Sequence, residues 1–408
     1  MKCRHCNTEL VHTFIDLGSA PPSNSFVTKK NINKAEKRYP LKVMICDNCW
    51  LLQTEDFVGV DEMFSEDYAY FSSFSSSWLK HAREYVETIV TRLHLDENSN
   101  VVEIAANDGY LLQYVQAHGI PCYGIEPTKS TAGAAREKGI EIVEDFFGVV
   151  LAEQLVKQER RVDLIIANNV LAHVPDINDF IKGCALLLKR EGVATFEFPH
   201  LLNLVEQNQV DTIYHEHYSY LSLSSILSVF GTNGLTVFDV EELPTHGGSL
   251  RIFARRTGSH LNPTNDSVGE LQLREEKAGV RSLEFYEGFQ SRANQIKIDF
   301  LDFLVKLDRQ NKKVAAYGAA AKGNTMLNFA GVKENLLPYV VDRNPTKLGK
   351  FLPGSLIPIK NEEYLQNDEP EYVVIFPWNL KTEIVNQLSY IREWNGKFVT
   401  LIPSLSIV

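Results

Sequence analysis

Long apolar runs are missing from this 408-residue sequence. No segment approaches the about 20 consecutive apolar residues that a helix needs to cross a bilayer. The first residues, MKCRHC, do not have the pattern of a secretory signal peptide either. We therefore expect a cytoplasmic protein that has no membrane partner and whose thiols stay reduced.

Positively charged residues are also relatively few. The chain has 41 Lys and Arg residues against 52 Asp and Glu residues, which gives a net charge of -11. Proteins that bind DNA or RNA use a broad positive field to neutralise phosphates. The composition therefore disfavours a nucleic-acid partner, although a local basic patch is enough to bind a small phosphate ligand. Hydrophobic residues make up 44% of the chain, as in ordinary globular proteins, and the length predicts two or three domains.

Cysteine is scarce, but four of the six cysteines form two C-x-x-C pairs. Two such turns bring four thiolates to one centre, which is the tetrahedral sulfur shell that zinc prefers. Four thiolates leave no open coordination position, so the predicted metal is structural and not catalytic. The alternatives are unpaired reduced thiols, or a ligand set in which His5 or His12 replaces a cysteine. The predicted zinc ligands are Cys3, Cys6, Cys46 and Cys49.

Strand and helix patterns alternate along most of the chain. Between residues 101 and 199, buried strands are separated by helices, and two antiparallel strands follow at LTVFDVEEL and SLRIFARR. This alternation indicates a parallel sheet with helices on both faces, so we predict an α/β protein with a Rossmann-like central sheet. A charged segment with an apolar stripe then predicts a helical connector, after which a second, smaller Rossmann-like pattern begins. The predicted domains are a zinc-binding domain at 1–74, the central domain at 75–257, the connector at 258–311 and the C-terminal domain at 312–408.

A glycine-rich dinucleotide loop is absent from the central domain. Of the pattern G-x-G-x-x-G, which lets a pyrophosphate approach the backbone, only Gly109 remains after the first strand, and Glu103 lies at the end of that strand. An acid at the carboxyl end of a parallel strand suits a ligand with a cationic amino-acid group and no phosphate. EIAANDG resembles motif I of the Rossmann-like methyltransferases, E-x-G-x-x-x-G, with Ala105 where the first glycine is usual. The predicted cofactor is S-adenosylmethionine, and its predicted contacts here are Glu103, Ala105, Asn107, Asp108 and Gly109.

Polar residues also end the next three predicted strands. Any one of these acids alone is equally well explained as a helix cap or a solvated strand end. Polar groups at the carboxyl ends of four consecutive strands are better explained by one shared ligand site. The predicted contacts are Glu126 and Pro127 for the ribose, Asp145 and Phe146 for the adenine, and Asn168 and Asn169 for the methionine carboxylate and the substrate.

The segment DTIYHEHYSYLS, which follows the central sheet, concentrates tyrosines, histidines and an acid. Methylation of a carbon by a sulfonium donor needs a carbon nucleophile, which a base creates by removing a proton next to a ketone. Histidine has a suitable pKa for this base, and a neighbouring carboxylate or phenol orients it or holds the enolate oxygen. The alternatives are a metal site, for which no third ligand is evident, and a solvated loop. The candidates are Tyr214, Glu216 and His217, with His173 as a second candidate or an apolar packing residue.

Three further segments carry candidate substrate contacts. DYAYFSSFSSS supplies tyrosines among hydroxyl groups, and HGGSLR places a flexible glycine pair between a histidine and an arginine. YGAAAKG has small residues at a strand-to-helix turn, where a helix N-terminus and a lysine suit a phosphate, although close packing of the helix on the sheet explains the small residues equally well. The candidates are Tyr68 and Tyr70, then His246, Gly247 and Arg251, and finally Tyr317 and Lys322.

Together these motifs resemble the nucleotide-sugar C-methyltransferase family of bacterial deoxysugar pathways. The resemblance covers essentially the whole chain and includes DLGSAPPSNSF, the two C-x-x-C pairs, EIAANDG, NNVLAHVPD, HGGSLR, YGAAAKGNT, VDRNPTKLGKFLPG and FPWN. It implies a zinc-binding domain, a central S-adenosylmethionine domain and a C-terminal domain that binds the nucleotide-sugar. The implied substrate is a keto-deoxysugar on dTDP, methylated at C3 beside a 4-keto group.

The same resemblance implies roles for individual residues. His217 would be the general base, with Tyr214 and Glu216 beside it and either Tyr68 or Tyr70 near the substrate. The residues implied to lie toward the nucleotide-sugar are Lys322, Asp342, Lys347, Trp378 and Asn379.

Other functions remain open from the sequence. One is O- or N-methylation of a sugar or small metabolite, and another is a non-catalytic zinc-containing scaffold that keeps a cofactor pocket. The negative net charge of the chain argues against a third function, that of an RNA methyltransferase with a zinc ribbon. The sequence leaves the sugar, the nucleotide, the stereochemistry and the oligomeric state open, and it is compatible with a monomer.

Overall fold

The computed structural model describes residues 1–55 and 71–408. Their strands form three sheets, of four, seven and six strands. None of the helices in these two ranges has the length and apolar character required to span a membrane.

The strands follow the predicted alternation along the chain. They are β1 (His12–Ala20), β2 (Tyr39–Ile45), β3 (Leu52–Thr54), β4 (Val101–Ile104), β5 (Cys122–Ile125), β6 (Glu141–Val143), β7 (Val162–Asn168), β8 (Leu188–Pro199), β9 (Ser219–Tyr220), β10 (Leu235–Leu243), β11 (Ser249–Arg256), β12 (Val314–Tyr317), β13 (Val340–Val341), β14 (Ile359–Lys360), β15 (Tyr372–Ile375), β16 (Lys397–Thr400) and β17 (Ser406–Ile407).

The helices lie between these strands and in the connector. They are α1 (Ser76–Leu93), α2 (Leu112–Ala117), α3 (Lys129–Glu137), α4 (Val149–Lys157), α5 (Ile177–Leu187), α6 (Leu201–Glu206), α7 (Leu223–Thr232), α8 (Asp266–Ala278), α9 (Phe289–Arg309), α10 (Ala321–Ala330), α11 (Glu363–Asp368) and α12 (Lys381–Gln387).

The central sheet has the order β10-β11-β8-β7-β4-β5-β6. Strands β4 to β8 are parallel, and β11 runs antiparallel to both β8 and β10. All four residues of β4 are buried, as expected for a strand covered on both faces. The order reverses between β4 and β7, which is where such sheets open a crevice at the carboxyl ends of their strands. The predicted Rossmann-like sheet is confirmed.

The N-terminal sheet is completed by a strand from elsewhere in the chain. Its order is β1-β2-β3-β9, and all its pairs are antiparallel. Strand β9 follows the central parallel strands in sequence, yet Tyr220 and Ser219 pair with Leu52 and Gln53 of β3. The segment that leads into β9, residues 210–218, is therefore tied to the N-terminal domain.

The C-terminal sheet has the order β14-β13-β12-β15-β16-β17, parallel except for β17. Helix α9 of the connector packs against this domain with residues spaced three and four apart, which form one apolar stripe. The buried residues of the stripe are Phe289, Ala293, Ile296, Phe300, Leu304 and Leu307. They share a hydrophobic core with β1 and α10, so the connector joins the N-terminal and C-terminal domains.

Helix α8 of the connector carries a buried carboxylate, Glu275. Its Oε1 accepts hydrogen bonds from His200 Nε2 at 2.8 Å and from the Leu223 amide at 2.7 Å. Its Oε2 accepts from the amide and the hydroxyl of Ser224 at 2.8 and 2.7 Å. The carboxylate thus caps the first turn of α7 and fixes the connector to the central domain.

We predict that Glu275→Gln lowers the free energy of unfolding by about 3 kcal/mol at pH 7, because it disrupts a buried, charged hydrogen-bond network. Burial alone would raise the pKa of Glu275, but the hydrogen bonds from His200 and Ser224 outweigh it and lower the pKa. The stabilisation is therefore present above the ordinary glutamate pKa and is lost as the pH falls through the lowered value. Urea unfolding between pH 3 and 7 checks this, with the exposed neighbour Glu276→Gln as control. Equal stability of the two variants at pH 7 would contradict it.

Candidate functional site

The four predicted zinc ligands converge in the N-terminal domain. Their sulfur atoms all lie within 4.8 Å of one another, and the pairs Cys3–Cys49 and Cys6–Cys46 are 3.5 Å apart. A tetrahedral zinc site with Zn–S bonds of about 2.3 Å has sulfur–sulfur distances of about 3.8 Å. The cluster therefore fits a closed, structural zinc ion, and Gln53 Nε2 donates to the Cys3 sulfur at 3.3 Å.

The neighbouring histidines have other contacts. His5 Nδ1 lies 2.8 Å from Asn178 Oδ1 and its Nε2 lies 3.0 Å from Ser228 Oγ, on two helices of the central domain. His12 lies 3.5 Å from Asp47. His5 therefore docks the zinc-binding turn on the central domain, and the four cysteines alone provide the ligand set.

We predict that Cys46→Ser lowers both zinc content and thermal stability, because a structural zinc ion contributes its binding free energy to folding, here at least about 3 kcal/mol. Metal analysis and thermal unfolding measure the two effects. Cys122→Ser, which changes a thiol outside the cluster, should retain zinc. A metal-free protein that melts at the wild-type temperature would refute a structural role.

The turn after β4 has the backbone that the motif I pattern requires. Ala105 has a φ of 58°, which explains why glycine is usual at this position, and Gly109 has a φ of 73°. A Cβ atom at Gly109 would lie 2.4 Å from Ile140 Cδ1, so the turn packs closely against the residue that precedes β6. The main-chain N–H of Asn107 donates to Glu126 Oε2 at 2.9 Å, and this hydrogen bond joins the ends of β4 and β5.

Three polar side chains in this crevice keep atoms without a partner. Among the described residues, none makes a hydrogen bond of good geometry with either carboxylate oxygen of Glu103, Oδ1 of Asp108 or the amide group of Asn168. Burial raises the pKa of Glu103 well above its ordinary value, opposed in part by the Tyr110 hydroxyl. Buried polar atoms without partners are costly, so they indicate a polar ligand. These residues fit the amino-acid end of S-adenosylmethionine.

The other predicted cofactor contacts lie around the same edge. The Glu126 oxygens accept from the Asn107 and Thr128 amides, and burial raises the pKa of Glu126. Asp145 and Phe146 are exposed after β6, and Asn169 has a φ of 53° with its Nδ2 3.1 Å from His246 Nε2. These groups lie at the ends of neighbouring strands, where an adenosine would lie along the edge.

We predict that Ala105→Gly raises the free energy of unfolding by about 1 kcal/mol without weakening S-adenosylmethionine binding, because glycine relieves the strain of a positive φ. Gly109→Ala should have the opposite effect, because it adds both the strain and the contact with Ile140. Denaturant unfolding and calorimetry with S-adenosylmethionine measure these effects. Destabilisation by both substitutions would show that Ala105 is not strained.

His217 lies buried in a network of hydrogen bonds. Its Nδ1 is 2.8 Å from the Thr212 carbonyl oxygen and its Nε2 is 2.8 Å from the Tyr214 hydroxyl. A carbonyl only accepts, so Nδ1 carries the proton and, in the neutral ring, Nε2 has the free electron pair. Burial lowers the pKa of His217 well below its ordinary value, with smaller contributions from the neighbouring histidines and a lysine. The ring is therefore neutral at pH 7.

His173 and Glu216 lie next to His217 and contact main-chain and side-chain groups around it. His173 Nδ1 donates to the Glu216 carbonyl oxygen at 2.7 Å, and its ring centre lies 4.8 Å from that of His217. The Glu216 carboxylate accepts from the amide and side chain of Asn24 at 3.3 and 3.2 Å. Of the two groups predicted as alternatives for orienting the imidazole, a carboxylate or a phenol, the phenol of Tyr214 contacts His217, together with the Thr212 carbonyl. Tyr68 and Tyr70 lie outside the described residues.

The HGGSLR loop meets the C-terminal domain. Gly247 has a φ of 91°, and a Cβ atom there would lie 2.3 Å from a ring carbon of Trp378. The Trp378 indole donates to Asp211 Oδ2 at 2.7 Å. His246 packs edge-on against Trp78, with ring centres 5.3 Å apart. Gly247 therefore sets the distance between the two domains.

Arg251, a predicted substrate contact, is held by carboxylates of the protein itself. It is buried, and its guanidinium donates to Glu197 at 2.8 Å and to Glu241 at 3.3 Å. His81 also lies 2.8 Å from Glu197. The arginine charge is thus compensated inside the protein, and the cluster supports the HGGSLR loop through the Thr245 hydroxyl, which donates to Glu197 at 2.9 Å.

The predicted substrate contacts of the C-terminal domain fall into two groups. Lys322 Nζ donates to Asn379 Oδ1 at 2.8 Å beside Trp378, close to the candidate catalytic segment. Asp342 accepts from the Ala319 amide at 2.8 Å, and Lys347 lies 3.5 Å from it. The Tyr317 hydroxyl accepts from Gln387 at 2.8 Å. Only the first group borders His217.

Sequence reasoning missed several residues of this site. Asp211 and Thr212 begin the DTIYHEHYSY segment, but no pattern marks a main-chain carbonyl as the partner of an imidazole. Asn24 lies in the PPSNSF part of the N-terminal motif, far from Glu216 in sequence. Glu197 ends β8, so the rule applied to the four preceding strands would have found it.

Comparison with known proteins agrees with this architecture. Three family models match consecutive parts of the chain: a zinc binding domain at residues 3–64, a methyltransferase domain at 78–240 and a C-methyltransferase C-terminal domain at 244–403. Among curated relatives, the C-methyltransferase NovU of Streptomyces niveus is 30% identical over 407 residues, which cover 100% of this chain and 96% of NovU.

Two further similarities are more distant. A ubiquinone biosynthesis O-methyltransferase of Coxiella burnetii is 22% identical over 44% of this chain and 86% of its own length. The crystal structure of magnesium protoporphyrin IX methyltransferase from Synechocystis with bound S-adenosylmethionine has a TM-score of 0.36 and 16% identity, over 50% of this chain and all of that one. This chain belongs to the C-methyltransferase family, as an S-adenosylmethionine-dependent enzyme with a zinc-binding domain.

Proposed function

We propose that this enzyme methylates the carbon next to a ketone in a nucleotide-linked keto-deoxysugar, at C3 beside a 4-keto group of a dTDP-sugar. The observation that carries the proposal is the state of His217. A neutral imidazole with its Nδ1 proton held by the Thr212 carbonyl has an unprotonated Nε2, whose electron pair can accept a proton. Transfer of a methyl group to carbon requires such a base, because an ordinary sugar carbon is not a nucleophile.

The proposed chemistry assigns one role to each group around the ring. Bound S-adenosylmethionine supplies an electrophilic methyl group on a sulfonium. His217 Nε2 removes the α-proton of the ketone, and the Thr212 carbonyl steadies the imidazolium that forms. The Tyr214 hydroxyl, which rests 2.8 Å from Nε2, turns to donate to the substrate oxygen as the proton leaves.

The neighbouring groups favour this assignment over a metal site. His173 and His217 each direct Nδ1 to a main-chain carbonyl oxygen. Within residues 1–55 and 71–408, the four cysteines are the one group of His, Cys, Asp or Glu side chains arranged to hold a metal ion. A general base is therefore the better interpretation of the H-E-H segment.

The C-terminal domain supports a nucleotide-linked substrate. Its parallel sheet places a small-residue turn and Lys322 beside the catalytic segment, with Asp342 and Lys347 at the neighbouring strand end. Such an edge of a Rossmann-like sheet suits a nucleotide, so that the sugar extends toward His217. The name of the relative NovU specifies C-methylation and no substrate, so the sugar substrate is our proposal.

We predict that the enzyme exchanges the C3 proton of a dTDP-4-keto-deoxysugar in deuterated buffer. His217→Asn should reduce both exchange and methylation by about 1,000-fold, because the base is lost. Since His217 must be neutral, the exchange rate should be constant from neutral pH downward until the lowered pKa is reached. Mass spectrometry of the sugar nucleotide measures both reactions.

The exposed His118→Asn serves as the control and should behave as wild type. Exchange that survives in His217→Asn would exclude this histidine as the base. Methylation of the corresponding reduced sugar nucleotide, which has no acidic C–H, would instead favour an O-methyltransferase.

A further inference from the structure

Lys322 has a partly buried ammonium group that makes no direct ion pair among the described residues, although the Asp211 carboxylate is close enough to act on its charge. Its Nζ donates to the neutral Asn379 Oδ1 at 2.8 Å and lies 4.3 Å from the centre of the Trp378 ring. No ion pair among the described residues includes Lys322, whereas Arg251 of the central domain is matched by two glutamates. A cation held by an amide and an indole face retains the capacity to bind an anion.

The fold directs this ammonium group toward the catalytic segment. Lys322 and Thr325 lie three residues apart on α10 and therefore share a helix face. The Thr325 hydroxyl donates to the Ile213 carbonyl oxygen at 2.9 Å, which docks that face on the segment. Trp378, below the ammonium, donates to Asp211 at 2.7 Å, next to the residue whose carbonyl holds His217. Lys322 therefore borders the same cleft as the proposed base.

Electrostatic effects agree with this placement. Burial lowers the pKa of Lys322 to about 8, opposed by the Asp211 carboxylate, so the ammonium is still largely protonated at pH 7. The lysine charge in turn contributes to the lowered pKa values of His217 and His246. Tyr214, His246, Lys322 and Trp378 are each only partly buried, as expected for the walls of a cleft that receives a ligand.

We infer that Lys322 is a catalytic residue whose ammonium group holds the oxyanion that forms when His217 removes the α-proton. The inference rests on the proposed function. The C–H proton passes to Nε2, the C–H electron pair becomes the carbon–carbon double bond, and the carbonyl π pair moves to the oxygen, which accepts a hydrogen bond from Lys322. The carbon–methyl bond then forms as the methyl–sulfur bond breaks, the carbonyl is restored, and the imidazolium releases its proton to solvent.

A phosphate group is the competing ligand for this lysine. A nucleoside diphosphate carries more than one negative charge, while the groups around Lys322 are neutral imidazoles, an indole, an amide and the Asp211 carboxylate, none of which is a second cation. The nearby arginine, Arg251, is already neutralised by Glu197 and Glu241. The single charge of an enolate matches a single ammonium group better.

The test compares Lys322→Met with Lys297→Met in the full-length, zinc-loaded enzyme. Lys297 is the matched control, because its ammonium also lies over an aromatic ring, 4.5 Å from the centre of Phe329, but in the connector. We expect Lys322→Met to lower kcat for exchange and methylation by about 100-fold or more, with KM for the sugar nucleotide nearly unchanged. Its melting temperature should change little, because the apolar chain removes the desolvation cost of the ammonium while the buried Asp211 carboxylate loses a compensating charge.

A pH profile and a binding measurement complete the experiment. Wild-type exchange should fall above about pH 8 as the ammonium deprotonates, and Lys322→Met should lose that alkaline limb. Calorimetry with thymidine diphosphate should give equal affinities for wild type and Lys322→Met. A rise in KM or a loss of thymidine diphosphate affinity with unchanged kcat would overturn the inference and assign the lysine to phosphate. Absence of exchange in wild type would overturn the proposed function and this inference together, while wild-type exchange with an active Lys322→Met overturns the inference alone.

Discussion

Hydrogen bonds to the main chain of residues 212–218 hold the candidate catalytic segment, and each of the three domains contributes to them. From the N-terminal domain, the Thr54 hydroxyl donates to the His217 carbonyl oxygen at 3.1 Å. From the central domain, His173 holds the Glu216 carbonyl, and from the C-terminal domain Thr325 holds that of Ile213. The imidazole is therefore positioned only when all three domains have docked on one short stretch of backbone. Zinc acts on this stretch indirectly, because it organises the turns that flank β2 and β3.

Burial affects the pKa values of ionisable groups in two ways in this protein, depending on whether the group has a charged partner. Glu275 with His200, and Glu197 with His81 and Arg251, are compensated networks whose carboxylates have lowered pKa values, and they connect elements of the fold. Around the cleft, burial instead lowers the pKa values of His173, His217 and His246 and raises that of Asp211. Neutral imidazoles and a poorly hydrated ammonium are groups that gain most from a charge that appears during a reaction. This contrast separates residues that support the site from those that face the ligand.

Local patterns in the sequence predicted much of this structure, because their physical causes are local. The C-x-x-C turns, the alternation of strands and helices, and polar residues such as Glu103 and Asn168 at strand ends all have short-range signatures. The pairing of β9 with β3, the contact of Gly247 with Trp378 and the carboxylate–amide contact of Glu216 with Asn24 have none, because they depend on how separate domains meet. Ala105 was only partly predictable. The motif showed that alanine is unusual at this position, but only the positive φ in the structure explains why glycine is preferred there.

The shared N-terminal sheet has a consequence for biosynthesis. The zinc-binding cysteines are synthesised early, yet the outer edge of β3 gains its strand partner only when Ser219 and Tyr220 of β9 have been made. Until then the nascent domain exposes unpaired backbone groups along β3, which is the kind of edge that recruits other chains. During synthesis the zinc-binding domain therefore passes through a stage in which its cysteines are available but its sheet still lacks β9. Its completion coincides with the emergence of the segment that carries the candidate base.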